Sequence, residues 1–165
     1  MEEHEVGAAI IDPDRIEVFI SSSMRDEGDF SWSKLRGEIN FALAQSDLFK
    51  PFVIENHASI EPSASCYLNR LAGSDLAVGI IRSELRAGTN RELRWAIAHK
   101  KPLLLIKIGD ETTPDIDSLF RYARERDSCT YVKRANTDGF VPYLMNQLNN
   151  VLVLLFRERC YSITD

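Results

Sequence analysis

Two short stretches of this 165-residue chain hold most of the side chains that could do chemistry. The first is Ser21-Ser22-Ser23-Met24-Arg25, three hydroxyls followed by a thioether and a cation. The second runs from Arg82-Ser83-Glu84 to Gly88-Thr89-Asn90-Arg91-Glu92. Residues 82–101 carry six basic and two acidic side chains in an otherwise acidic protein, and such a cluster beside a helix start suits a phosphate-bearing ligand. Glu92 is open to two readings. Thr89-x-x-Glu92 fits a capping box, in which both side chains satisfy orphan amides of a first helical turn. Alternatively, Glu92 is a carboxylate turned toward a ligand. Trp95 and His99 follow it at i+3 and i+7, so they share its helical face.

Several familiar chemistries lack their residues. No glycine pattern GxGxxG is present, which disfavours a dinucleotide fold for hydride transfer, and no GxxxxGK[ST] marks a P-loop. No GxSxG exists, and a nucleophile among Ser21–Ser23 would have only His57 or His99 as a base. The three cysteines and three histidines contain no pair at metal-ligand spacing, so no metal site is expected. Arginines around a loop are also commonly a solvated face, where single ion pairs contribute little.

The elements that must position these residues alternate between strand and helix. Arg15–Ser21 is a β-branched and aromatic strand, and Leu35, Ile39 and Leu43 recur at helical spacing within a helix over Trp32–Gln45. Leu48–Ile54 reads as a second strand, whose Pro51 suits an edge. Pro62 can open a second helix that ends near Gly73. Asp75–Ile81 and Pro102–Ile108 are nearly all apolar, as strands buried on both faces should be. A helix from Thr89 to about Lys100 lies between them. A short helix over Leu119–Ala123, a strand over Cys129–Val132 and a long helix over Phe140–Phe156 complete the series. The leader over residues 1–14 contains an Asp12-Pro13-Asp14 turn signal, and the tail from Arg157 reads as polar and weakly structured. This order predicts one α/β domain over 15–156: a five-stranded parallel sheet in flavodoxin-like order 2-1-3-4-5, helices on both faces. In such sheets ligands bind beyond the carboxyl ends of the strands, at the switch point between strands 1 and 3. Both chemical stretches fall there.

Composition narrows the partners. With 20 Lys and Arg against 25 Asp and Glu, the chain lacks the cation surplus of a nucleic-acid-coating protein. The longest purely apolar run, Val151–Phe156, is far short of the roughly 20 residues that a bilayer requires. The N-terminus is acidic rather than signal-like, and the odd cysteine count gives no disulfide framework. The cytoplasm is the expected compartment.

Four segments taken together resemble a known family. Ile16-Glu-Val-Phe-Ile-Ser-Ser-Ser-Met-Arg25, Ser74-Asp75-Leu-Ala-Val-Gly-Ile, Gly88-Thr89-x-x-Glu92-x-x-x-Ala96 and Lys101-Pro102-Leu-Leu resemble the TIR-like (Toll/interleukin-1 receptor-like) domains, over residues 15–108. They are most similar to a bacterial branch that opens on VFISS-M/F-R-D. The resemblance implies an NAD glycohydrolase effector of antiphage defence or signalling, working when self-assembled and fused to a larger sensor or NTPase. It implies NAD as substrate rather than cofactor, and Glu92 as the catalytic carboxylate. Ser21, Ser22, Ser23, Met24, Arg25, Arg82, Ser83, Gly88, Thr89 and Trp95 would line the crevice. The Gly-Thr-x-x-Glu segment is also similar to nucleoside 2-deoxyribosyltransferases, which carry an aspartate six residues before the glutamate, where this chain has Arg86. Nicotinamide leaves NAD as a neutral molecule, so one carboxylate can suffice, whereas a neutral base requires an acid. Glu55 and Glu84 are the candidates for a second acid. The alternatives are a non-enzymatic TIR-like nucleotide-binding or self-association module, and a deoxyribosyltransferase or nucleotide hydrolase.

Overall fold

The fold is given by a computed structural model, which describes residues 15–52, 64–127 and 129–161. In chain order its elements are β1 (Ile16–Ser22), α1 (Trp32–Gln45), β2 (Phe49–Phe52), α2 (Ala64–Gly73), β3 (Leu76–Ile81), α3 (Ala87–Ala98), β4 (Leu103–Ile108), α4 (Pro114–Arg126), β5 (Thr130–Arg134) and α5 (Phe140–Tyr161). The five strands form one sheet in the order β2-β1-β3-β4-β5, and every pairing is parallel. Each parallel step requires a crossover, and the helices supply it on both faces. The architecture is therefore the one that the sequence predicts.

Two apolar cores follow from the two-residue period of the strands. Val18, Ile20, Val78, Ile80, Leu104 and Ile106 pack against α1 and α5 through Trp32, Ile39, Leu43, Leu144 and Leu148. Phe19, Ala77, Ile81 and Leu105 face the other way, onto Leu71 of α2, Leu93 and Ile97 of α3 and Leu119 of α4. Every residue of β3 and of β4 is buried, which accounts for sequences that are apolar throughout except at Lys107. Pro51 lies in β2 at the sheet edge, opposite Val18, where its missing N–H breaks no central ladder.

The differences from expectation are at element ends. α4 is a 13-residue helix rather than a short one over Leu119–Ala123. Its start signals are ordinary: Thr113 caps Ile116 N at 3.3 Å, Pro114 stands in the first turn, and Asp115 and Asp117 meet the positive end of the helix dipole. α5 runs to Tyr161, so the polar residues from Arg157 continue a helix. β5 begins and ends one or two residues later than Cys129–Val132. α3 begins at Ala87, two residues before Thr89. The turn at Asp12–Asp14, the end of strand 2 at Ile54 and the opening of α2 at Pro62 lie outside the described residues. Among the described residues no helix is long and apolar enough to cross a membrane.

Candidate active site

The carboxyl ends of β1 and β3 and the first turns of α3 meet as the topology requires. Ser21 pairs with Gly79 across the β1–β3 ladder and points to the face that α3 covers. Gly79 sets how closely α3 lies there. A Cβ added to Gly79 would stand 2.5 Å from Leu93 Cδ2 and 2.9 Å from Leu105 Cδ1. The bare backbone thus lets Leu93 rest on the sheet, and the neighbouring Glu92 reaches β1.

There the Ser21 hydroxyl donates to Glu92 Oε2 in a short, buried hydrogen bond. Glu92 is 8% exposed and Ser21 is 2% exposed, so the pair is withdrawn from bulk water. Burial raises the Glu92 pKa above the ordinary 4.5, because desolvation penalises the charged form; the Ser21 hydrogen bond and the nearby Arg91 charge pull it back down. One turn earlier Thr89 Oγ1 donates to the Ser22 carbonyl at 3.2 Å. These contacts overturn the capping-box reading. The N-cap of α3 is Arg86, whose side chain makes no capping bond, and Thr89 and Glu92 both turn to β1 instead.

The other residues named from sequence divide into three groups. Ser22 and Ser23 are buried but not brought to the carboxylate: Ser22 lies on the opposite face of β1 from Ser21 and its hydroxyl has no partner among the described residues, and Ser23 Oγ bonds within its own turn to Arg25. Met24, Arg25 and Gly88 are exposed at the rim, and a Cβ on Gly88 would meet nothing within 4 Å. Trp95 is not brought to the carboxylate. It stacks on His99 at 4.1 Å and packs against the core between α3 and the sheet. The basic cluster is largely engaged: Arg86 pairs with Glu84 at 2.9 Å, and Arg94 bonds Asn90 at 3.0 Å and Ser118 at 2.9 Å. That leaves Arg25 and Arg91 as exposed cations near the crevice.

One residue was missed. Glu27, in the loop after β1, accepts from Ser83 Oγ at 2.6 Å, from Ser83 N at 3.4 Å and from Arg82 Nη1 at 3.2 Å, all on Oε2. Its side chain is 6% exposed. Glu84 is instead a surface partner of Arg86, and Glu55 lies outside the described residues. Beyond the ends of β3–β5 a cavity of about 310 Å³ opens, with Phe30 and Arg82 in its wall. A larger one, about 420 Å³, lies at the opposite end of the sheet beside Pro102 and Thr130, remote from Glu92. Among the described residues no three His, Cys, Asp or Glu side chains gather as metal ligands.

Fold and site together define a three-layer α/β domain with a buried, hydroxyl-bonded carboxylate at its switch point. Among solved structures it is similar to the CMP N-glycosidase BcmB of Clostridium botulinum, with a TM-score of 0.58 and 15% identity over 79% of this chain and 98% of that one. At that identity the likeness shows a shared fold. No family model and no curated protein sequence matches the chain.

Proposed function

We propose that this protein is a nucleotide N-glycosidase with Glu92 as its catalytic carboxylate. The observation that carries the reading is the buried Ser21–Glu92 pair at the switch point, where this class of sheet receives its ligands. A glutamate used only as a surface cap would sit in water. This one is withdrawn from it and bonded to a strand-end hydroxyl.

In the reaction the C1′–N bond breaks and its electron pair leaves with the base. The positive charge that develops on the sugar carbon falls beside the Glu92 carboxylate, which steadies it electrostatically or closes on it as a glycosyl ester. Water then adds its oxygen to C1′ and gives up a proton. NAD is the substrate that the TIR-like resemblance implies, since its cationic nicotinamide leaves neutral without an acid. Self-association and fusion to a larger sensor chain belong to that same reading. A nucleoside monophosphate is the second reading, supported by the similar CMP N-glycosidase, which aligns over 98% of its length. Its neutral base departs only if a proton is supplied.

The test is release of free base from NAD, CMP and dCMP, followed by chromatography, for wild type and Glu92→Gln. Wild type should release base from at least one of them, and the variant should lose at least a hundredfold in rate, as when a principal electrostatic group is removed. Equal rates in the two proteins would remove Glu92 from the role. Binding without turnover by wild type would favour a nucleotide-binding module over an enzyme.

A further inference from the structure

Glu27 occupies a position that its own loop contacts do not complete. Oε2 accepts all three donors from Arg82 and Ser83, while Oε1 is buried and has no partner among the described residues. A carboxylate oxygen held out of water without a donor is costly, and a ligand N–H or O–H would remove the cost.

The geometry around Glu27 indicates what kind of ligand. Glu27-Gly28-Asp29-Phe30 is a tight turn closed by two backbone hydrogen bonds, Glu27 N to Phe30 O at 3.0 Å and Phe30 N to Glu27 O at 2.9 Å. Gly28, at φ +55°, supplies the left-handed residue that the turn requires. One rigid turn therefore carries both the buried carboxylate and an aromatic ring. Phe30 is braced edge-on by Trp32, 5.0 Å away, and forms a wall of the 310 Å³ cavity with Arg82, Gly109 and Asn136. Arg82 links the two features, since its guanidinium lies 4.9 Å from the Phe30 ring centre and also bonds Glu27. An aromatic wall beside an unfilled carboxylate acceptor fits a planar heterocycle that donates an N–H.

Resting on the glycosidase reading above, we propose that Glu27 selects substrates whose base carries an exocyclic amino or carboxamide NH₂, accepting one of its hydrogens through Oε1 while the ring lies against Phe30. Glu27 is then a second carboxylate of the site. It fixes the base, while Glu92 attends to the sugar.

The test compares paired substrates in which a carbonyl or carboxylate oxygen replaces that NH₂: CMP with UMP, and NAD with its nicotinic acid analogue, using kcat/KM and, on the inactive Glu92→Gln background, dissociation constants. Wild type should prefer the NH₂-bearing member of a pair by about 10- to 100-fold, the usual worth of a hydrogen bond to a charged group. Glu27→Gln keeps a carbonyl oxygen for Ser83 and Arg82 and turns an NH₂ toward the ligand. It should erase or invert the preference, favouring the carbonyl of UMP. If wild type treats both members alike, the proposal fails without reference to any variant. It fails equally if Glu27→Gln slows all substrates by one factor, which is a purely structural role, or if the lost discrimination is between CMP and dCMP, which would place the contact on the ribose. Should wild type neither bind nor cleave any of these nucleotides, the glycosidase reading itself falls.

Discussion

Glu92 is balanced between burial, which favours its protonated form, and the Ser21 hydroxyl, which favours the carboxylate. If the ionised form acts on the sugar, activity is lost as pH falls through its raised pKa, so the acid limb stands above that of an exposed glutamate. Ser21→Ala removes the opposing hydrogen bond and leaves the desolvation in place. The acid limb should then move to higher pH, and kcat/KM at neutral pH should fall roughly 2- to 12-fold, the worth of one ordinary hydrogen bond. A profile that keeps its midpoint would show that Ser21 does not govern the proton. Ser21 and Glu92 were legible in the sequence because each stands directly at a strand end or in an early helical turn, places that topology alone assigns to the crevice. Glu27 was not. It lies among Asp26 and Asp29 in a polar loop, and only contact with Ser83, 56 residues away, separates it from its neighbours. Asp26, by contrast, is spent on the start of α1, accepting from Trp32 N at 2.8 Å.

The strands were readable because β3 and β4 are buried on both faces and admit almost nothing polar, and Pro51 marked the edge. Helix ends were less so. The Thr89-x-x-Glu92 spacing is compatible with a cap, but tertiary bonds to β1 claim both side chains and the helix starts earlier without them. The contact that determines this, Leu93 on Gly79, depends on a missing Cβ that no periodicity reveals. Gly79→Ala forces a methyl into that contact and should cost about 1–3 kcal/mol, the usual penalty of overpacking. It should also lift α3 and lower activity more than stability alone explains, which thermal unfolding and kcat measured on one sample will separate. A change of opposite sign is expected at the end of α4. Asp127 closes that helix at φ 45°, a conformation that costs an L-residue roughly 1–2 kcal/mol. Asp127→Gly should raise the Tm, and a fall would show that the aspartate side chain contributes more than the strain costs.

Across the whole molecule the site is a local loss of stability maintained by the rest of the fold. Two complete apolar cores surround the sheet, yet its carboxyl edge retains a carboxylate that burial disfavours. Functional sites often carry such costs, and relieving them commonly stabilises a protein at the expense of activity. The pH dependence gives the sign. Below the unfolded-state value near 4.5, Glu92 is protonated in both states and its burial carries no charge penalty. As pH rises, the unfolded chain releases that proton first while the folded chain retains it, so Glu92 progressively weakens the fold until its raised pKa is passed. Glu92→Gln stays neutral throughout and can still accept the Ser21 hydrogen bond. It should therefore unfold at a higher temperature than wild type at pH 8. The gap should close toward pH 4. Unfolding scans of both proteins from pH 4 to 8 decide the matter: a difference that does not change with pH would mean that the Glu92 proton is not linked to folding. A gap that opens with pH, in a variant that no longer releases base, would tie the cost in stability and the gain in catalysis to the same carboxylate.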